Sequence, residues 1–197
     1  MEAVAQPRRR MHPAERRELI RREGTRLFGK DGYAATRLED VAAGAGVTKP
    51  MVYRHFASKR ELYLAILRRH EAHLPTFTAR LEPRSEDSDS LVATILDGWL
   101  DYVVENSDAW LVIFRDSTGD PAIERARRRV NKRATEVLEE FVRASAPDLE
   151  PELIEPTANF LSSGLAGLVL WWIDHPKVSR ETVHATATRA CVAVLGR

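Results

Sequence analysis

Apolar positions recur along this chain at intervals of three and four residues, and no stretch alternates strictly between β-branched and polar side chains. The pattern predicts helix after helix. Ile20, Gly24, Leu27 and Phe28 share one face of a first helix over residues 13–30, which Pro13 suits as a start and Asp31-Gly32 stops. Thr36-Arg37-Leu38-Glu39 reads as a capping box, in which hydroxyl and carboxylate each accept from the other residue's free backbone N–H. It opens a short helix over 37–45, with Leu38, Val41, Ala42 and Ala45 inward and Gly46 free to take the positive φ of a sharp turn. Thr48 then caps a third short helix over 49–54, where Pro50 is tolerated in the first turn. Ser58-Lys59-Arg60-Glu61 is a second capping box and opens a helix to about His73, before Pro75.

The polar stretch EPRSEDSDS (82–90) is the best boundary candidate. Beyond it, helices fit 90–106, 108–116, 121–145, 151–174 and 179–195, and Asp120-Pro121 and Glu150-Pro151 each set a cap before a helix-starting proline. Pro156, two turns into its helix, predicts a kink or a later start. The expected fold class is all-α.

Charge sharpens this outline. The 197 residues carry a net charge of only +1, but residues 1–70 hold 16 basic and 8 acidic side chains, and residues 71–197 hold 14 and 21. The first part is suited to a polyanion and the second is not. The single cysteine, Cys191, excludes an internal disulfide framework and a multi-cysteine zinc site, so the cytoplasm is the expected compartment. The beginning of the chain has no signal-peptide core, and the longest apolar stretch, 165–173, is too short to span a bilayer. An enzyme is a poor reading: there is no glycine-rich phosphate loop, no nucleophile elbow, and no metal-spaced set beyond His70 and His73. No cofactor is expected.

Two short helices about a tight glycine turn make a helix-turn-helix, a weak signal by spacing alone. Residue type strengthens it. The second helix presents Thr48, Lys49, Tyr53 and His55, all able to meet phosphates or base edges, while Val47, Val52 and Phe56 can face a core. The run RARRRVNKR (125–133) is read instead as a solvated helix face, because acidic residues bracket it.

Residues 28–67, FGKDGYAATRLEDVAAGAGVTKPMVYRHFASKRELYLAIL, resemble the DNA-binding domain of the TetR family of transcriptional regulators. Leu27-Phe28, Gly32-Tyr33, Thr36, Val41-Ala42, Ala45-Gly46-Val47, Tyr53, His55-Phe56, Ser58-Lys59 and Leu62 carry the resemblance. Glu23 and Gly24 depart from it, standing where small alanines are usual, as does Gly44, where a bulkier residue is common. The resemblance implies that Thr36 and Arg37 hold a phosphate or reach a base, and that Lys49 and Met51 read bases. It also implies that Thr48, Tyr53, His55 and Lys59 clamp the backbone. Arg8-Arg9-Arg10 could enter the minor groove.

By the same resemblance the chain divides into a basic arm (1–12), a DNA reader (13–57), a linking helix (58–81) and an effector-binding and dimerisation domain (82–197). Trp99, Tyr102, Trp110, Phe114, Asn131, Phe160 and Trp171 are candidates for a mainly apolar pocket with a few polar anchors, for a hydrophobic or amphipathic effector, lipid-related molecules among the candidates. Small residues in 151–174 (Ala158, Ser162, Ser163, Gly164, Ala166, Gly167) would let that helix and 179–195 form an intersubunit four-helix bundle. A two-fold dimer would read a near-palindromic operator on double-stranded DNA. The expected function is ligand-gated repression. The alternative is an architectural or activating helix-turn-helix protein without small-molecule control.

Overall fold

In a computed structural model, which describes residues 11–78, 88–115 and 118–196, every element is a helix. The basic arm Arg8–Arg10 and most of the 82–90 spacer lie outside the described residues. The helices are α1 (Pro13–Ala35), α2 (Leu38–Gly44), α3 (Lys49–His55), α4 (Lys59–Thr78), α5 (Ser88–Glu105), α6 (Ser107–Phe114), α7 (Pro121–Ser145), α8 (Pro151–Asp174) and α9 (Arg180–Val194).

The ends of these helices show how local chemistry sets them. His12 caps α1: its Nδ1 accepts from the Ala14 N–H, and the Glu15 carboxylate accepts from the His12 N–H. Gly32 interrupts α1 as expected, with φ 79° and ψ 167°, but one further helical turn follows it to Ala35. The first expected capping box does not form. Thr36 is buried and its hydroxyl donates backwards to the Gly32 carbonyl at 2.8 Å, while Glu39 pairs with Lys49 at 2.5 Å. The end of α1 and the first turn of α2 compete for that hydroxyl, and in the fold the Gly32 carbonyl takes it. The second box forms in a shifted register, with the Glu61 N–H donating to Ser58 Oγ at 3.1 Å and the Ala57 N–H donating to the Glu61 carboxylate at 2.6 Å.

Two prolines differ from expectation. α4 runs on through Pro75 to Thr78, and α8 begins at Pro151 with Pro156 inside it. Pro156 would have bonded the Glu152 carbonyl, and both residues are exposed, so water can satisfy the carbonyl that proline leaves without a donor.

The core falls into two clusters. The first joins α1 to α4 with α6 and α7 around Phe28, Val52, Phe56, Tyr63, Ile66, Val112 and Ile123. Within it Phe28, Tyr33 and Tyr63 form a ring cluster with centroids 5.0–5.9 Å apart, and the Tyr63 hydroxyl donates to the Val112 carbonyl at 2.8 Å. The second joins α5, α8, α9 and the end of α7 around Leu96, Val142, Leu161, Ala187 and Cys191. Burying such side chains stabilises by about 1.5–3 kcal/mol each. The reader is thus mounted on α4, α6 and α7 through one continuous core.

Glycines set two close approaches. A Cβ on Gly29 would lie 2.6 Å from the Asp108 carbonyl oxygen, so only glycine lets the backbone of α6 sit against α1. A Cβ on Gly24 would meet Leu62 Cδ2 at 2.8 Å, which seats α4 on α1.

Candidate nucleic-acid interface and ligand cavity

The turn between α2 and α3 is closed by Gly46 at φ 65° and by the Val47 N–H donating to the Ala42 carbonyl at 2.9 Å. α3 packs inward through Val52, with Phe56 just beyond it, so its period of 3.6 leaves Thr48, Lys49, Pro50, Tyr53 and Arg54 exposed. Arg37, at the N-cap of α2, is exposed nearby, and Lys49 Nζ lies 5.9 Å from the Tyr53 ring centroid. Thr48 takes the extended backbone of an N-cap but makes no side-chain cap bond, so its hydroxyl is not committed to the helix. Met51 is half-buried.

The remaining candidates are placed differently. Lys59 Nζ donates to the carbonyls of Tyr33, Ala34 and Thr36 at 2.7, 3.2 and 3.0 Å and lies over the Tyr33 ring, closing the end of α1. His55 is half-buried; burial, with Arg16, Arg17 and Arg54 nearby, holds its pKa below the ordinary histidine value. Thr36 is buried. A residue that sequence reasoning did not single out is Arg17: it donates to the His55 carbonyl at 2.8 Å and covers the Phe56 ring at 4.3 Å, tying α1 to the end of α3. Its signal in the sequence, one arginine among many, has no distinguishing pattern.

Behind the reader lies an apolar chamber of about 300 Å³. Trp99 and Tyr102 of α5, Trp110 and Phe114 of α6, Phe141 of α7 and Leu165 of α8 line it. Trp110 stands edge-on to Trp99 at 5.9 Å and tilted against Phe114 at 4.7 Å. Four of the seven expected ligand residues are therefore brought together. Asn131, Phe160 and Trp171 are not: they are exposed and do not line the chamber. On α8 the inward positions are Ser162, Leu165 and Ala166, and the helical period turns Phe160 and Trp171 to the other side. Asn131 likewise sits one position around α7 from the lining residue Val130.

His70 is a polar chamber residue that the sequence did not mark as one. It comes from α4, is buried, and its Nδ1 lies 3.1 Å from the Tyr102 hydroxyl. Desolvation lowers its pKa to about 4, helped by the nearby Arg21, His73 and Arg69, so the ring is neutral at pH 7. His70, Tyr102 and Asn106 also border a larger, more polar cleft of about 520 Å³ between α1, α2, α4, α5 and α6. That cleft is lined by charges that already face one another: Arg21 and Arg69 pair with Glu18, and Arg26 with Glu23. The smaller chamber has the walls that gain from being covered, because they are apolar and carry no ion pairs.

These features define an all-helical protein with a helix-turn-helix unit and a partly open apolar chamber behind it. Residues 20–66 match the model of the bacterial regulatory proteins, tetR family. A stretch of 102 residues is 31% identical to the HTH-type transcriptional activator FasR of Mycolicibacterium smegmatis, covering 52% of this chain and 47% of that protein. A stretch of 51 residues is 41% identical to the uncharacterized HTH-type transcriptional regulator YerO of Bacillus subtilis, covering 26% of this chain and 18% of that one. The chain thus spans about half, or less, of the length of these curated relatives.

Among solved structures, a putative TetR-family regulator from Rhodococcus sp. superposes with a TM-score of 0.74 at 24% identity, over 92% of this chain and 99% of that one. The fatty acid degradation regulator FadR from Bacillus halodurans gives 0.75 at 13% identity, over 92% and 95%. At these identities the likeness is one of fold. Residues 20–66 thus carry the likeness to the tetR family, and the described chain as a whole shares the fold of these solved structures.

Proposed function

We propose that this protein is a ligand-responsive transcriptional regulator, a repressor that leaves its operator when a hydrophobic or amphipathic small molecule fills the chamber. The carrying observation is that α4 serves both ends. Lys59 at its start holds the end of α1, and His70, eleven residues later, lines the chamber. At about 1.5 Å rise per residue the two are roughly 16 Å apart along one rigid element. A second element runs in parallel: α6 lines the chamber with Trp110 and Phe114 and touches α1 where Asp108 meets Gly29. A ligand that repositions α4 or α6 therefore moves the reader, and a coupling of about 1–3 kcal/mol is enough to switch it.

DNA contact is assigned to Arg37, Thr48, Lys49, Met51 and Tyr53, which the reader presents on or near its outer side, and to Arg54 beside them. Thr36, His55 and Lys59 hold the reader's shape.

The dimer of this reading forms through α8 and α9. Exposed Leu153, Phe160 and Trp171 make an apolar stripe on α8, and a Cβ on Gly164 or Gly167 would meet nothing within 4 Å. α8 is a described helix long and apolar enough to cross a membrane by length and composition, yet only 22% of that apolar window is buried within the chain. A second copy covering this face would account for both facts and would set two readers on a near-palindromic site. Activation is the second reading, favoured by the printed name of the FasR relative.

Selection of bound fragments from random DNA, followed by binding and run-off transcription with and without chamber ligands, tests the proposal. Sequence-specific binding that ligands weaken, with transcription rising in step, supports repression. Transcription that falls as the protein leaves supports activation. Binding with no preference for any sequence would overturn both.

A further inference from the structure

We infer that the chamber takes an uncharged amphiphile, whose head group accepts a hydrogen bond from Trp110 Nε1–H and whose apolar body fills the space beside Trp99, Phe114 and Phe141. The inference rests on the reading that the chamber is the effector site, and it names the chemical class of the effector.

The charge of the lining carries the first part. Among the described residues the lining includes no lysine and no arginine. Its ionisable members are His70, Tyr102, Cys191 and Glu140. Burial pushes the Cys191 thiol up to about 11 and raises the Tyr102 phenol, while it holds His70 neutral, so none of these three brings a charge inside at pH 7. Glu140 is exposed, at the margin. A carboxylate or phosphate entering would lose its hydration and find no cation, with a like charge at the edge. A quaternary ammonium would find no carboxylate inside. A neutral molecule meets neither penalty.

The polar contacts carry the second part. The Asn106 amide already donates to the Tyr102 carbonyl at 2.8 Å, and the His70 ring already meets the Tyr102 hydroxyl. Trp110 Nε1 is buried and has no acceptor among the described residues. Buried donors are almost always paired, and Trp110 is a lining residue, so a turn of its ring towards the chamber lets a ligand oxygen complete this donor. An ester, amide, ketone or alcohol oxygen supplies it without charge. The volume sets the size: about 300 Å³ holds the body of a small amphiphile, roughly ten methylene-sized groups if each needs about the ~30 Å³ that a water molecule takes in the liquid.

The test uses the full-length protein at pH 7.5 and four probes with the same ten-carbon chain: methyl decanoate, 1-decanol, decanoate and decyltrimethylammonium, each below its micellar concentration. Calorimetric titration should give Kd values for the ester and alcohol at least tenfold below those of the two ions. In Trp110→Phe, which keeps a ring but removes the N–H, ester affinity should fall about five- to tenfold, whereas Trp99→Phe should change it less than twofold. Ala134→Leu, which fills the chamber from α7, should abolish binding of every probe. Decanoate or the ammonium binding as tightly as the ester would overturn the charge assignment while leaving the chamber as the effector site. Unchanged ester affinity in Trp110→Phe would overturn the head-group assignment. If no probe binds, or binding survives Ala134→Leu, the chamber itself fails as the site and this inference falls with it.

Discussion

The carboxylate of Glu23 on α1 lies against the backbone of Gly44 at the end of α2, where a Cβ on residue 44 would come within 2.8 Å of Glu23 Cγ and closer still to the carboxylate. The resemblance marks both positions as departures, and the structure places the two against each other. The long acidic side chain occupies the space that a side chain at 44 would fill, and it is held there by Arg26, whose Nε reaches it at 3.0 Å.

Gly44→Ala alone is therefore expected to lower stability by about 1 kcal/mol, because Glu23 must leave its arginine to admit the methyl group. In the Glu23→Ala background the same change should cost nothing or stabilise, since alanine is the better helix former. Urea denaturation of the four proteins of the cycle measures the coupling, expected at about 0.5–3 kcal/mol. Additive effects would show that the two positions do not interact.

Gly29→Ala should be the more damaging glycine change. Its Cβ would meet a backbone carbonyl of α6, which cannot rotate away, and overpacking of this kind costs typically about 1–3 kcal/mol. Gly24→Ala meets only the end of Leu62, a side chain that can shift, and should cost less. Thermal denaturation ranks the two; the reverse order would contradict the packing described.

Lys49 is held by Glu39 at 2.5 Å, with both side chains nearly half exposed, so a carboxylate competes with DNA for it. Lys49→Ala should lose about 1–3 kcal/mol of binding to a selected site if it reads a base. Glu39→Gln should tighten binding by releasing the ammonium. Lys59→Met should instead lower the stability of the fold, because three α1 carbonyls lose their donor, and leave the salt dependence of DNA binding unchanged. A salt slope reduced by about one in Lys59→Met would make Lys59 a phosphate contact after all.

His70 predicts an acid-labile fold. Its pKa is lowered from 6.5 to about 4 by burial, so below pH 6.5 the unfolded chain takes up a proton that the folded one does not. Stability from this residue is complete above about pH 6.5 and is lost as pH falls towards 4, by up to about 3 kcal/mol at 1.36 kcal/mol per pKa unit. His70→Gln should flatten that part of the pH–stability curve relative to the wild type. Equal slopes in the two proteins would place the sensitivity elsewhere.

Legibility in the sequence followed the range of the interactions. The bounds of α7 and α8 and the turn at Gly46 could be read directly, because proline at a helix start and glycine at positive φ act within a few residues. The Thr36 box could not, since its hydroxyl chose between two helix ends that the sequence makes equally near. Aromatic content pointed to a pocket and named Trp99, Tyr102, Trp110 and Phe114, which the structure places around one chamber, but composition does not say which way a helix faces. It swept in Phe160 and Trp171 from the outer side of α8.

The amino-acid sequence by itself determined an all-helical chain with a basic reader at its beginning, through periodicity, caps and the division of charge near residue 70. Those signals are local, and each survives without knowledge of any distant contact. Only the tertiary structure decided that Lys59 caps α1, that Glu23 and Gly44 share one space, and that His70 belongs to the chamber. In each case the partner lies on another helix, brought there by the packing of faces whose relative rotation no single segment records.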